Sequence, residues 1–288
     1  MSALALSSNV LLVGGATLGV AVGVVATRLC DRLPPRYGIT HVVEGSARAR
    51  RNAGVVVIAA AIGLWLAHLV ALAPNTSAER AGFYVVTNLV LAVALVAAAA
   101  VDLEHMILPN ELTLGAGALA LATSYWRGIG LVGALIGALV GLALTYLPFL
   151  LYKKLRGRSG MGLGDAKLAL VAGVWLGAPG AIFVVFAGAV QSALCAVILR
   201  LLGKEFAMPA SVVAELADLR AKAAAGDAEA QAVLADDPMA ADVGAADGAP
   251  ALGTMRLPMG PFLVLACLEF VVARTPILEL FDRFLSPS

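Results

Sequence analysis

Apolar runs long enough to cross a bilayer recur along this chain, and the charges between them fall in clusters. The runs near residues 9–27, 54–73, 83–101 and 129–151 are continuous and rich in Ala, Leu and Val. Lipid offers the backbone no hydrogen-bond partner, so each such run must satisfy itself as a helix. A membrane barrel would show short alternating segments instead. Composition agrees: 14% of the 288 residues are charged, where a soluble domain carries about a quarter. The hydrophobic share is 61% and the mean hydropathy +0.93. The expected fold is all-α, a polytopic membrane helix bundle.

The same numbers exclude several functions. A net charge of +1 gives no electrostatic hold on a nucleic acid, so the bilayer is the expected partner and nucleic acid is not. Cys30, Cys195 and Cys267 stand apart with no CxxC pair. No disulfide framework, metal site or cofactor is expected from them.

Orientation follows from the basic clusters. Arg28, Arg32, Arg36, Arg48, Arg50 and Arg51 face only Asp31 and Glu44, which places that segment in the cytoplasm. Lys153, Lys154, Arg156 and Arg158 form a second inner cluster. The first 27 residues lack a basic segment ahead of the apolar run, so they read as an anchor with the N-terminus outside, not as a secretory signal. About eight transmembrane helices result. After the four runs above come spans near 111–126, from Asp165 to a turn at Gly177-Ala178-Pro179-Gly180, near 181–202, and near 259–273. Four parts are expected. Residues 1–53 hold the anchor and a short basic loop, 54–202 the membrane core, 203–257 an acidic inner loop, and 258–288 the last helix with a short outer tail. Gly133, Gly137 and Gly141 read as a close-packing helix face. Within the acidic loop, 211–224 fits an amphipathic helix with Val212, Val213, Leu216 and Leu219 on one face. The stretch after 235 fits a disordered linker. The loop reads either as a solvated tether or as a lure for a basic partner.

Two acids stand out. Asp102 closes the third span and Asp165 opens the sixth, so topology brings both to the cytoplasmic interface. An acid beside hydrocarbon is costly and is usually functional, although Asp165 alone also fits a helix cap. Glycines 160, 162 and 164 crowd in front of Asp165 and let backbone approach closely. Two carboxylates held together share a proton, activate a water and protonate a leaving group. That is aspartic-protease chemistry, and any titration belongs to the pair. Little else is available. His68 and His105 stand alone, and no Ser or Cys has a His/Asp constellation. Glu104 lies two residues from Asp102. Lys167 either tunes Asp165 or reaches to the interface. Asn88, Gln191 and Glu269 read as interhelical hydrogen-bonding groups.

Three blocks resemble the type IV prepilin leader peptidases, integral-membrane aspartic proteases. Asp102-Leu-Glu104-His-Met-Ile-Leu-Pro109-Asn110-Glu-Leu-Thr113 resembles the family's first aspartate block. Gly160-Met-Gly162-Leu-Gly164-Asp165-Ala-Lys167-Leu168 resembles its GMGxGDxKL. Leu257-Pro-Met-Gly260-Pro261-Phe-Leu263 resembles the block opening its last helix. The resemblance covers about 83–202 and 256–273. It implies Asp102 and Asp165 as the catalytic pair. Gly162, Gly164, Lys167, Glu104, Pro109 and Asn110 are then substrate-binding or supporting residues. Prepilins or pseudopilins are the implied substrates, cut in the inner membrane at its cytoplasmic face, after a glycine and before their apolar helix. Type IV pilus assembly and type II secretion are the settings it implies.

The chain also departs from the pattern. Asn110 stands where the family usually has an acid, and Thr27 replaces an Asn of the amino-terminal block that Gly23 and Arg32-Leu33-Pro34 echo. The inner loop that usually carries two CxxC pairs is reduced to about 28–53 with only Cys30. That loop is associated with S-adenosylmethionine-dependent N-methylation, so methyl transfer is not expected here. Two other readings stand beside this one. A presenilin-type intramembrane aspartyl protease shares the GxGD aspartate but would cut within a span. A proton or cation transporter would use the same acids but needs acids spread through membrane depth.

Overall fold

The structure is a computed structural model describing residues 8–39, 43–73, 77–156, 162–204, 206, 208–236 and 258–285. The described residues form helices without strands. They are α1 (Ser8–Arg32), α2 (Gly45–Ala71), α3 (Ala78–His105), α4 (Asn110–Ala122), α5 (Gly130–Arg156), α6 (Leu163–Leu201), α7 (Ala210–Ala224), α8 (Ala228–Asp236), α9 (Gly260–Val272) and α10 (Arg274–Leu285). A 3-10 turn, Pro34–Tyr37, follows α1. Five helices are long and apolar enough to cross a membrane: α1, α2, α3, α5 and α6. The chain is a multi-pass membrane protein.

The fourth predicted span differs from expectation. The helix stops at Ala122, and Thr123 to Ile129 form turns in place of a run to 126. Tyr125 and Trp126 on those turns are exposed, as interface anchors should be. The basic segment differs too, because α1 runs on to Arg32 and α2 starts at Gly45, so most of its arginines ride on helices.

Helix α3 is the hub, buried on nearly every side of its central turns. Its run Ala97-Ala98-Ala99 keeps that stretch slim, and Cys30 of α1 packs there with Sγ 3.7 Å from the Ala97 carbonyl oxygen. Small residues let the outer helices approach each other in the same way. Gly137 and Gly173 meet so closely that a methyl on either would strike the other's carbonyl, and Gly141 meets the Ala169 carbonyl likewise. Gly133 touches only Ile129 of its own segment. On the other flank, Gly15, Gly19 and Gly23 of α1 press on Gly63, Ala59 and Val56 of α2.

Helix α6 folds back on itself. Gly177 takes φ 80°, ψ −178°, a backbone state open in practice only to glycine, and Pro179 follows. Gly164 lies against Leu108 at one end of the bundle, while Gly180 meets Phe270 and Gly188 meets Leu263. Residues 178–201 therefore return alongside α9, antiparallel to it. The polar groups within the spans pair across helices as expected. Trp175 Nε1 donates to Asn88 Oδ1 at 2.9 Å, and Gln191 Nε2 donates to Glu269 Oε2 at 2.6 Å. His68 is exposed and lies against the Trp65 ring, centroids 5.7 Å apart.

Candidate functional site

The two aspartates come from opposite kinds of helix end. Asp102 lies in the last turn of α3, which closes when Met106 enters the left-handed region (φ 52°) and its N–H returns to the Asp102 carbonyl at 2.8 Å. Ile107 and Leu108 then run on to Pro109. The Pro109 carbonyl accepts the N–H groups of Leu112 and Thr113 and, at 3.0 Å, the Thr113 hydroxyl. That local network explains why Pro109 and Thr113 stand four apart at the start of α4. Asp165 lies in the first turn of α6, its N–H 3.3 Å from the carbonyl of Gly162, the residue preceding the helix.

These ends meet. The Asp165 carboxylate acts on Asp102 as a like charge, and the Gly260 N–H, free at the start of α9, lies beside Asp102. A methyl on Gly260 would strike Asp102 Oδ2. Leu108 is wedged between the two glycines: an added Cβ would lie 3.4 Å from its Cδ2 at Gly260 and 3.0 Å from its Cδ1 at Gly164. Asp102 is buried and Asp165 half-buried. Gly162 is exposed, 3.8 Å from Asp165 Oδ2 measured from an added Cβ. Gly160 and Met161 lie outside the described residues.

The remaining expected residues pair with groups on neighbouring helices. Lys167 Nζ donates to Asn110 Oδ1 at 3.1 Å, tying the start of α6 to the start of α4. The Asn110 N–H donates to the Tyr37 hydroxyl at 2.8 Å, and that hydroxyl donates to Glu111 Oε2 at 2.7 Å. Glu104 turns away from Asp102. It accepts from Arg51 Nη1 at 2.8 Å, while Arg51 Nη2 reaches Asp31, so one guanidinium joins α1, α2 and α3.

His105 is buried, with Nδ1 3.1 Å from the Ser211 hydroxyl, and that hydroxyl also donates to the Glu104 carbonyl at 3.3 Å. Ser211 thus anchors α7 over the end of α3, where Val212 and Leu216 pack with Met106, Met208 and Leu234. Val213 faces outward instead, at the edge of the 212–216–219 stripe. The linker expected after 235 lies mostly outside the described residues.

Residues 89–197, which hold both aspartates and Leu108, match the type IV leader peptidase family. Over this stretch the chain is similar to that family. It is 38% identical over 103 residues to a prepilin leader peptidase/N-methyltransferase of Xanthomonas campestris pv. campestris, covering 32% of each chain. A protein of the same name from Aeromonas hydrophila is 37% identical over 97 residues, 33% of each. The match to one from Neisseria gonorrhoeae is 32% over 122 residues, 42% of this chain and 43% of the relative. The chain thus spans about a third of the length of the first two relatives. No solved structure matches the chain.

Sequence reasoning left Gly260 out of the site, as it did Tyr37 and Ser211. Gly260-Pro261 carries a readable signal, since proline in a first helical turn leaves neighbouring N–H groups free to bind an acid. Tyr37 and Ser211 carry none, because their partners lie far off in sequence.

Proposed function

We propose that this protein is an aspartic endopeptidase that removes the basic leader of prepilins or pseudopilins at the cytoplasmic membrane face. The observation that carries the reading is the meeting, beside Gly260, of Asp102 and Asp165, both of which lie inside the stretch that matches the leader peptidase family. With one proton between them, one carboxylate takes a proton from water as the water attacks the scissile carbonyl. The other gives its proton to the departing amine. Two carboxylates and one water complete the hydrolysis.

The charges favour the same membrane face. Arg48, Arg50 and Arg51 at the start of α2, and Lys153 and Lys154 near the end of α5, lie toward the aspartate end of their helices. The positive-inside rule puts that end in the cytoplasm of the cell's inner membrane and the start of α1 outside. Counting α4, α9 and the two arms of α6 gives eight crossings. A leader rich in Lys and Arg stays in water while the pilin helix enters lipid, so the scissile bond arrives at the depth of the aspartates. Gly162, exposed beside Asp165, leaves room for its backbone, whereas the space at Gly164 is taken by Leu108. We expect no methyl transfer, because the shortened basic segment carries one cysteine, and that one is packed against α3.

The test is mass spectrometry of a prepilin incubated with the full chain in liposomes, with and without S-adenosylmethionine. Cleavage after the leader glycine, with no added methyl mass, is the expected result. Cleavage inside the apolar helix would favour the presenilin-type reading. An intact prepilin together with proton or cation flux would favour transport.

A further inference from the structure

Two arginines face each other at the end of the bundle opposite the aspartates. Arg127 lies in the turn between α4 and α5 and is buried, at 7% exposure. Its Nε donates to Thr123 Oγ1 at 3.1 Å, Nη2 to the Ala120 carbonyl at 2.5 Å, and Nη1 to the Trp175 carbonyl at 2.6 Å. The last bond has a plain cause. A helical Trp175 carbonyl would accept from the N–H of residue 179, and that residue is a proline without one. Arg127 supplies the missing donor at the fold-back of α6. These bonds use three of its five N–H groups and no counter-charge.

Arg274, exposed at the start of α10, acts on Arg127 as a like charge. Burial, with Arg274 adding to it, pushes Arg127 down to about 10, which leaves it cationic at neutral pH. Among the described residues neither arginine forms an ion pair with a carboxylate. Facing cations, one of them buried, repel, and an anion between them reverses the sign.

The surroundings say what kind of anion. A cleft lined by Tyr84, Asn88 and Trp175 connects the two arginines. Beside it lies a cavity of about 290 Å³ that reaches Arg274 and is walled by Ile129, Ile136, Leu176, Pro179 and Leu278. Helix α10 turns Ile277, Leu278 and Phe281 inward and leaves Thr275 and Glu279 exposed. A helix so divided lies along the membrane interface, at headgroup depth.

We propose that Arg127 and Arg274 form a binding site for a phosphate group, that of an anionic phospholipid whose chain enters the neighbouring apolar cavity. Guanidinium forks match phosphate oxygens in geometry as well as charge. The proposal rests on the chain crossing a bilayer and not on its being a peptidase.

Delipidated protein in detergent is titrated with phosphatidylglycerol, phosphatidylcholine or inorganic phosphate and followed by native mass spectrometry and thermal melting. Wild type, Arg274→Gln and Arg80→Gln are compared, Arg80 being an exposed cation outside the cavity. Phosphatidylglycerol is expected to bind over phosphatidylcholine and raise the melting temperature. Arg274→Gln should weaken that binding by about tenfold, the loss of one charge-assisted hydrogen bond, while Arg80→Gln leaves it unchanged. Arg274→Gln should melt no lower than wild type without lipid, since it removes a like charge, which separates lost binding from lost folding. An Arg274-dependent stabilisation by inorganic phosphate alone would support the anion site and assign it to free phosphate. Equal retention of the two lipids, or equal loss in both variants, overturns the proposal.

Discussion

Gly260 fixes how near a third helix comes to Asp102, and it does so by having no side chain. A methyl there would strike the carboxylate, so Gly260→Ala must displace either Asp102 or the start of α9. The expected outcome is a loss of about 100-fold in kcat/KM, with helicity by circular dichroism unchanged, since a small misplacement of a reacting group has effects of that order. Cleavage at the wild-type rate would remove Gly260 from the site. Legibility at this scale divides by the kind of signal. Asp102 and Asp165 were visible because an ionisable group bordering hydrocarbon is costly wherever it stands. The roles of Glu104 and Lys167 were not, because each depended on a partner supplied by another helix, Arg51 for one and Asn110 for the other.

Helices here pack through missing side chains, since lipid gives no hydrophobic drive for two apolar helices to associate. The Gly137 and Gly141 face of α5 was readable from its four-residue spacing, and it meets α6 through carbonyl contacts at Gly173 and Ala169. The Gly15, Gly19 and Gly23 stripe of α1 has the same spacing, yet only Gly23 stood out in the sequence, as an echo of an amino-terminal block and not as a packing face. Gly137→Val forces α5 off α6 and is expected to cost about 3 kcal/mol, the upper end of typical overpacking. The measurement is thermal melting in detergent, and an unchanged melting temperature would contradict that packing. Helix α7 was legible as an amphipathic element, but its seat was not, because Met106 and Ser211 carry no pattern. Leu216→Asp buries a charge in that seat, so faster hydrogen exchange across α7 is expected while α3 keeps its protection. Unchanged exchange would mean that α7 is not held there.

Across the whole molecule, hydropathy gave the helical membrane class directly, while the length of each crossing was harder to read. Helices α4 and α9 have 13 residues each, and α6 reads as one run of 39 until Gly177 turns it back. Composition alone cannot place such a break, but Gly177 followed by Pro179 marks it, because one frees the backbone and the other removes a donor. This fold-back returns the second arm of α6 alongside α9 and so brings Gly260 to the aspartates. In the proposed reaction Asp102 and Asp165 act as one catalytic unit, and the direct measurement is prepilin cleavage in liposomes by wild type, Asp102→Asn and Asp165→Asn. Each substitution is predicted to lower the rate by about 10³-fold or more, with helicity and melting close to wild type. Substantial cleavage by either folded variant would contradict the two-aspartate mechanism.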